Sequence, residues 1–384
     1  MNRDNLIKVA LLVDEYFGAL NTAFGGYGFL ARNVIAKHLP DENISVDVLL
    51  RRGDSKYFAK EHIVDGVKVI EVPKKSFFAR KWLKRQEYNL FLSIELTTAS
   101  YNIIRLVEQP KLLLWIQDPR PWYEWREIFT VKLFPETCYW DSRAYEYVHH
   151  LAEEGRVRFI SQAEFLNSKA RDLYRLKNEH PIEIVRNPID VNDVDESCLE
   201  NKRDVIIFLG RIESVKRGWL FCEIAKKLPQ YEFRVLGQTF REKEKNNSIL
   251  RKYSNVKNLK FEGHVSGELK IQHLREAKIL INTSIHEALP VSFIEALLYG
   301  VLLVSNRNPD QLTERFGLWV GDVLGDGFDA VDKYVEAVKN IMNNEDRRRE
   351  LSKEAHLYIK KYHDQNKVIP ALKAQILDLC DQAE

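Results

Sequence analysis

The chain has 384 residues, enough for two domains of ~150 residues with a core in each. Hydrophobic residues make up 45% and charged residues 30%, a globular balance, and a net charge of +2 gives no general attraction to nucleic acid. The 4 cysteines form no CxxC pair, which argues against a disulfide framework or a zinc site, and no apolar run approaches the ~20 residues that span a bilayer.

In chain order, charged and polar residues lead straight into an apolar strand at 8–13, which is not a signal-peptide pattern. The expected location is therefore the cytoplasm, or the inner face of a membrane without crossing it. A glycine loop with Gly25, Gly26 and Gly28 follows, then a helical pattern over 29–39. Strands are expected at 45–50, 67–72, 111–116 and 157–160, mostly with helical stretches between them. Residues 185–204 are polar, contain Asn187-Pro188 and lack periodicity, so they read as a linker. The alternation restarts with strands at 205–209, 232–236, 259–262, 279–282 and 301–305, and helices fill the chain from 330 onward. Buried strands alternating with helices, twice over, predict two doubly wound α/β units.

The strongest chemical signal lies at HEALPVSFIEALLYG, where Glu287 and Glu295 have seven residues between them. Glu287 follows a strand. Glu295 sits inside a helix that Pro290 can open. The free N–H groups at that helix start, from Val291 and Ser292, suit an anion such as a diphosphate. Glu295 is placed to accept from ribose hydroxyls and Glu287 from sugar hydroxyls. In isolation the pair would read equally well as two solvated helix glutamates.

Arg211 and Lys216, in FLGRIESVKRGW, follow a buried strand and the turn at Gly210, where open α/β sheets bind ligands. A guanidinium grips phosphate oxygens in a fork, and an ammonium adds a point charge.

The remaining features each have two readings. The GGYGFLA loop imitates a dinucleotide fingerprint through Gly26, Gly28 and Ala31, but it begins well after its strand ends, which argues against a nicotinamide site. Gly25 and Gly26 can admit a diphosphate or acceptor, or simply connect a strand to a helix. Asp193-Val194-Asp195 imitates a metal-binding DxD, but it lies in the linker and follows no strand, so no metal is expected. Arg120, Trp122 and Tyr123, near Trp115, Trp125 and Arg126, suit a saccharide or lipid-linked acceptor, or ordinary aromatic packing. Basic residues and aromatics alternate over 74–85, fitting either an anionic bilayer surface or a solvated helix face.

Through the GGYG loop, SQAEFLNSKARDL, RNPIDVND, GRIESVKRG, FEGHV and the Glu287–Glu295 pair, the chain resembles glycosyltransferase family 4. These are retaining enzymes of GT-B architecture. The resemblance implies two Rossmann-like domains facing a cleft. The acceptor domain would be 1–190 and the donor domain 191–360, with 361–384 crossing back to the first. It implies a hexose-type sugar moved from a nucleotide-diphosphate donor to a hydroxyl, with no cofactor. Such reactions serve polysaccharide, lipopolysaccharide or glycolipid synthesis.

By the same resemblance Arg211 and Lys216 hold the diphosphate, Glu287 the donor sugar and Glu295 the ribose. It adds Gly210, Val265 and Leu289 to the donor contacts. Two departures stand out. Pro290 replaces a usual glycine and removes an N–H. Gln117, followed by Asp118, stands where many members have a catalytic His. A non-catalytic sugar-nucleotide-binding protein and a sugar-nucleotide epimerase are the rival readings.

Overall fold

The computed structural model describes residues 6–50, 55–192, 194–239 and 241–381. The chain divides into two compact units. The first comprises Met1–Pro121, Tyr139–Pro188 and Gln365–Glu384, and the second Trp122–Cys138 and Ile189–Asp364.

The first unit is built on eight strands. They are β1 Ile7–Leu12, β2 Ile44–Leu50, β3 Lys60–Val64, β4 Val67–Glu71, β5 Leu90–Ile94, β6 Leu112–Ile116, β7 Val157–Ser161 and β8 Ile182–Ile184. Their order is β3-β4-β2-β1-β5-β6-β7-β8, parallel except for the β3–β4 hairpin. Strands β5 and β6 are buried along their whole length. Such strands are covered on both faces and carry no polar alternation. The chain order reverses between β1 and β5, and open sheets of this kind bind ligands at the strand carboxyl ends beside such a reversal.

Four strands of this sheet and the next fall outside the sequence expectations. The β3–β4 hairpin turns on Asp65-Gly66, both at positive φ, which is the two-residue turn that Asp-Gly favours. That signal is present in the sequence. Strand β5 is a five-residue apolar run, too short for periodicity to identify. Strand β8 and β14, Gly317–Trp319, are three-residue edge strands.

Six strands form the second unit. They are β9 Val205–Leu209, β10 Glu232–Leu236, β11 Leu259–Gly263, β12 Ile279–Asn282, β13 Leu302–Ser305 and β14. Their order is β11-β10-β9-β12-β13-β14, all parallel, with the reversal between β9 and β12. The loops after β9 and β12 carry the two strongest sequence signals, so the topology brings Arg211, Lys216 and Glu287 to one place.

Six helices matter below: α1 Gly26–Phe29, α2 Ser76–Lys84, α3 Trp122–Ile128, α4 Gly267–Glu276, α5 Val291–Leu298 and α6 Gln365–Asp381. Helix α6 packs with the first unit. Arg158 lies 2.5 Å from Asp378, and Lys373 lies 2.7 Å from Asp41. Among the described residues no helix is long and apolar enough to cross a membrane.

Candidate functional site

The loop after β12 delivers Glu287 into a set of donors. Its Oε1 accepts from Lys216 Nζ at 2.5 Å, Ser284 Oγ at 2.6 Å and Asn282 Nδ2 at 3.0 Å. Among the described residues nothing donates to its Oε2. Burial works to raise the Glu287 carboxyl. The Lys216 charge, with the hydrogen bonds from Lys216, Ser284 and Asn282, overrides burial and holds it below the usual range. Lys216 uses one of its three ammonium hydrogens on this bond.

The backbone around the pair is fixed by Arg217, a residue the sequence reading passed over. It is fully buried and donates to the carbonyls of Thr283 at 2.7 Å, Val323 at 3.0 Å and Gly325 at 2.9 Å. Burial pulls its guanidinium down to about 10. Three cations thus follow β9 in close succession, and the third is structural. Arg211 is partly exposed, 3.7 Å from Glu213. Gly210 crosses Gly237 so closely that a Cβ at Gly237 would sit 1.8 Å from the Gly210 carbonyl oxygen.

Helix α5 begins at Val291, with Pro290 as N-cap at φ −67° and ψ 137°. No side chain caps it, and its first turn carries no acidic residue. The N–H of Phe293 turns back to the Pro290 carbonyl at 3.0 Å, and those of Val291 and Ser292 have no described acceptor. One turn further, Glu295 Oε1 accepts from Lys270 Nζ of α4 at 2.5 Å, and its Oε2 likewise receives no described donor. Both glutamates therefore pair one oxygen with a lysine and keep the other. Sequence reasoning did not single out Lys270. Val265 and Leu289 are buried side chains, so they can offer a ligand only main-chain groups.

Of the expected site residues in the first unit, Gly25 and Gly26 lie in the connection after β1, and Gln117, Asp118 and Arg120 follow β6. Gln117 is 1% exposed, and both the nitrogen and the oxygen of its amide are hydrogen-bonded. Its Nε2 donates to Asn187 Oδ1 at 2.9 Å, and its Oε1 accepts from Asn187 Nδ2 at 3.0 Å. Its side chain is thus turned into the unit, and Asn187 of the expected linker is a core residue.

Glu95 was not anticipated. It follows β5 at the sheet reversal, where its Oε2 accepts from the N–H groups of Gln117 at 2.9 Å and Asp118 at 2.6 Å. Its Oε1 accepts from Leu96 N at 3.0 Å and Tyr174 OH at 3.1 Å. Burial pushes its carboxyl up despite these bonds. Asp118 Oδ2 accepts twice from Arg120, from Nε at 3.0 Å and NH2 at 2.5 Å, and Arg120 also meets the Tyr139 hydroxyl.

The glycine loop is shaped by Glu15, also unanticipated. Its Oε1 accepts from Gly28 N at 3.1 Å, and a Cβ at Gly25 would fall 1.9 Å from the same oxygen. A side chain at Gly25 would therefore have to displace the Glu15 carboxylate. Gly26, beside it, is exposed.

Trp122 and Tyr123 open helix α3 and are both exposed, while Glu124, Trp125 and Ile128 are its buried residues. Although α3 follows β6 in sequence, its contacts place it in the second unit. Asp193 lies outside the described residues. Among the described residues no three or more His, Cys, Asp or Glu side chains gather as a metal ion would require.

Residues 192–357 match the family described as glycosyl transferases group 1. No curated protein matches the chain in sequence. Among solved structures, sucrose-phosphate synthase from Thermosynechococcus elongatus is similar, with TM-score 0.76 and 13% identity over 98% of this chain and 100% of that one. HepE from Anabaena, solved in complex with UDP and glucose, gives 0.68 and 12% over 97% and 99%. WaaG, a glycosyltransferase involved in lipopolysaccharide biosynthesis, gives 0.65 and 14% over 94% and 98%. The likeness runs through nearly the whole chain and carries the GT-B fold. The second unit thus carries a glycosyl transferases group 1 domain, within a chain of GT-B fold.

Proposed function

We propose that the second unit holds the donor diphosphate between Arg211, Lys216 and the N–H groups of Val291 and Ser292. Glu287 Oε2 then takes a hydroxyl of the donor hexose, and Glu295 Oε2 takes the ribose. Gly210, Val265 and Leu289 supply main-chain contacts around the nucleotide. The observation that carries this reading is the matched state of the two carboxylates. Each is oriented by a lysine on Oε1 with Oε2 left over, on either side of an uncapped helix start. Uridine is the first base to try, because HepE was solved with UDP and glucose.

In the reaction, the bond from the sugar's anomeric carbon to the phosphate oxygen breaks. A bond to the acceptor oxygen forms on the same face. The acceptor proton passes to the departing phosphate oxygen. Arg211, Lys216 and the helix start are fixed dipoles and charges aimed at that developing negative charge, which lowers the barrier without reorganisation. No metal is needed in this scheme. Within the first unit, Gly25 and Gly26 are assigned to main-chain contacts with the donor, Asp118 to catalysis and Arg120 to the acceptor; on α3 of the second unit, Trp122 and Tyr123 are assigned to the acceptor. Gln117 acts from within the unit as a positioning group. The acceptor is a saccharide or lipid-linked saccharide in cell-surface glycan synthesis, met on the cytoplasmic side of the membrane.

A panel of UDP-, GDP-, ADP- and dTDP-sugars tests this reading, scored by release of the nucleoside diphosphate in the presence of chelator. Turnover of at least one donor is expected, with the donor's anomeric configuration retained in the product by NMR. Binding without turnover across the panel and a range of saccharide and lipid acceptors would favour a non-catalytic protein.

A further inference from the structure

The loop 283–287 is held at every residue. The Thr283 hydroxyl donates to the carbonyls of Lys216 at 2.8 Å and Arg217 at 3.1 Å. The Ser284 carbonyl accepts from Asn306 Nδ2 at 3.0 Å. The Ile285 N–H donates to the Val215 carbonyl at 2.8 Å, and its carbonyl accepts from Arg307. Glu287 carries the donors described above. The remaining residue, His286, is 4% exposed, and its Nδ1 lies 2.6 Å from Glu124 Oε2, itself on a residue 6% exposed.

Glu124 reaches His286 from α3, which belongs to a stretch flanked in sequence by pieces of the first unit. That stretch is tied down along its length. Glu127 lies 3.2 Å from Arg307, the same residue that holds the Ile285 carbonyl. Gly325 N donates to Thr130 Oγ1 at 2.8 Å, and the N–H groups of Lys132 and Leu133 donate to Asp326 Oδ1 at 2.8 and 2.9 Å. The last three ties hold the part of the stretch that follows α3. The two from α3 itself converge on residues 285 and 286, immediately before Glu287. A buried carboxylate–imidazole contact costs desolvation on both sides, and well-packed apolar residues would fill the same space without that cost. Its strength lies in directional geometry.

We infer that Glu124 and His286 are positioning residues for Glu287: the contact fixes the main chain one residue before it and so sets where Glu287 Oε2 meets the donor sugar. The inference rests on Glu287 contacting that sugar. Because α3 also exposes Trp122 and Tyr123, the same helix ties the assigned acceptor aromatics to the donor loop.

The test uses the full-length chain with the nucleotide sugar it turns over, UDP-glucose in the first instance, and UDP binding by calorimetry. Glu124→Ala should lower kcat by about tenfold or more while UDP affinity stays within about twofold, the pattern of a contact that matters mainly in the transition state. The Glu124→Ala/His286→Ala double variant should be no slower than the slower single variant, because both break one contact. Glu124→Gln keeps the volume and a carbonyl that accepts from the imidazole, so it should recover most of the turnover. It also serves where the alanine variant fails to fold. Unchanged kcat in folded Glu124→Ala, or parallel loss of kcat and UDP binding in step with Tm, would overturn the inference. Glu287→Gln separates the two levels. If it too leaves turnover unchanged, the sugar-contact reading has failed. If it loses turnover while Glu124→Ala does not, only the positioning pair has failed.

Discussion

Glu287 and Glu295 use their oxygens alike but differ in what a ligand would ask of them. A contact to the reacting sugar strengthens as the bond to phosphate breaks, so its loss appears in kcat. A contact to ribose is the same before and during reaction, so its loss appears as weaker binding. Glu287→Gln should therefore lower kcat by about 100-fold, the size of losing one preorganised electrostatic contact, with UDP affinity nearly intact. Glu295→Gln should raise donor KM and weaken UDP binding, with a smaller change in kcat. Steady-state kinetics beside calorimetry would check both, and the reverse pattern would exchange the two roles. At this scale the sequence is informative where a residue's role follows from its place after a strand, as for Arg211, Lys216 and Glu287. It is silent where the role depends on a remote partner. Nothing near Gln117 reveals that Asn187, 70 positions away, takes its amide. Nor does anything near Gly25 show that the group filling its side-chain space is Glu15.

Helix α2 shows an element whose exposed face is defined only by the fold. Phe77 is 74% exposed and stacks edge-on with Phe78. The loop 55–58 joins them, pinned through Lys74 N to the Ser55 carbonyl at 3.0 Å and Lys75 N to the Lys56 carbonyl at 3.1 Å, and it adds Phe58 at 76% exposure. Lys74, Lys75, Arg80, Lys81, Lys84 and Arg85 accompany these rings. We propose that this face rests on anionic membrane, basic groups at the headgroups and rings at the interface. Each cation near such a surface contributes ~1 kcal/mol, and salt screens it. Flotation with phosphatidylglycerol vesicles should recover the protein at low salt and release it at high salt, and Phe58→Ser with Phe77→Ser should weaken the binding. Failure to float at low salt would favour a soluble saccharide acceptor. Residues 74–85 mark the basic aromatic run in the sequence, but the contribution of Phe58 needs the backbone pairing that brings its loop alongside.

At the scale of the whole molecule, two doubly wound α/β units are legible because buried parallel strands read as apolar runs between helical stretches. The path of the chain between the units is not legible. The segment Trp122–Cys138 follows a first-unit strand yet packs in the second unit, and Gln365–Glu384 ends the chain in the first. Both facts rest on contacts such as Glu124 with His286 and Arg158 with Asp378, made between residues more than 150 positions apart, where no local pattern records them. The central claim concerns one of the units: that the second, with its group 1 domain, binds a nucleoside diphosphate through its own residues without a metal. Calorimetric titration of UDP into the protein in excess chelator, beside the Arg211→Ala variant, tests it most directly. Single-site binding is expected for the wild type. The variant should lose roughly 1.5–3 kcal/mol, the range for hydrogen bonds to charged groups, or about 10- to 150-fold in Kd. No binding of UDP, GDP, ADP or dTDP, or equal UDP affinity in a folded Arg211→Ala variant, would contradict the assigned donor site.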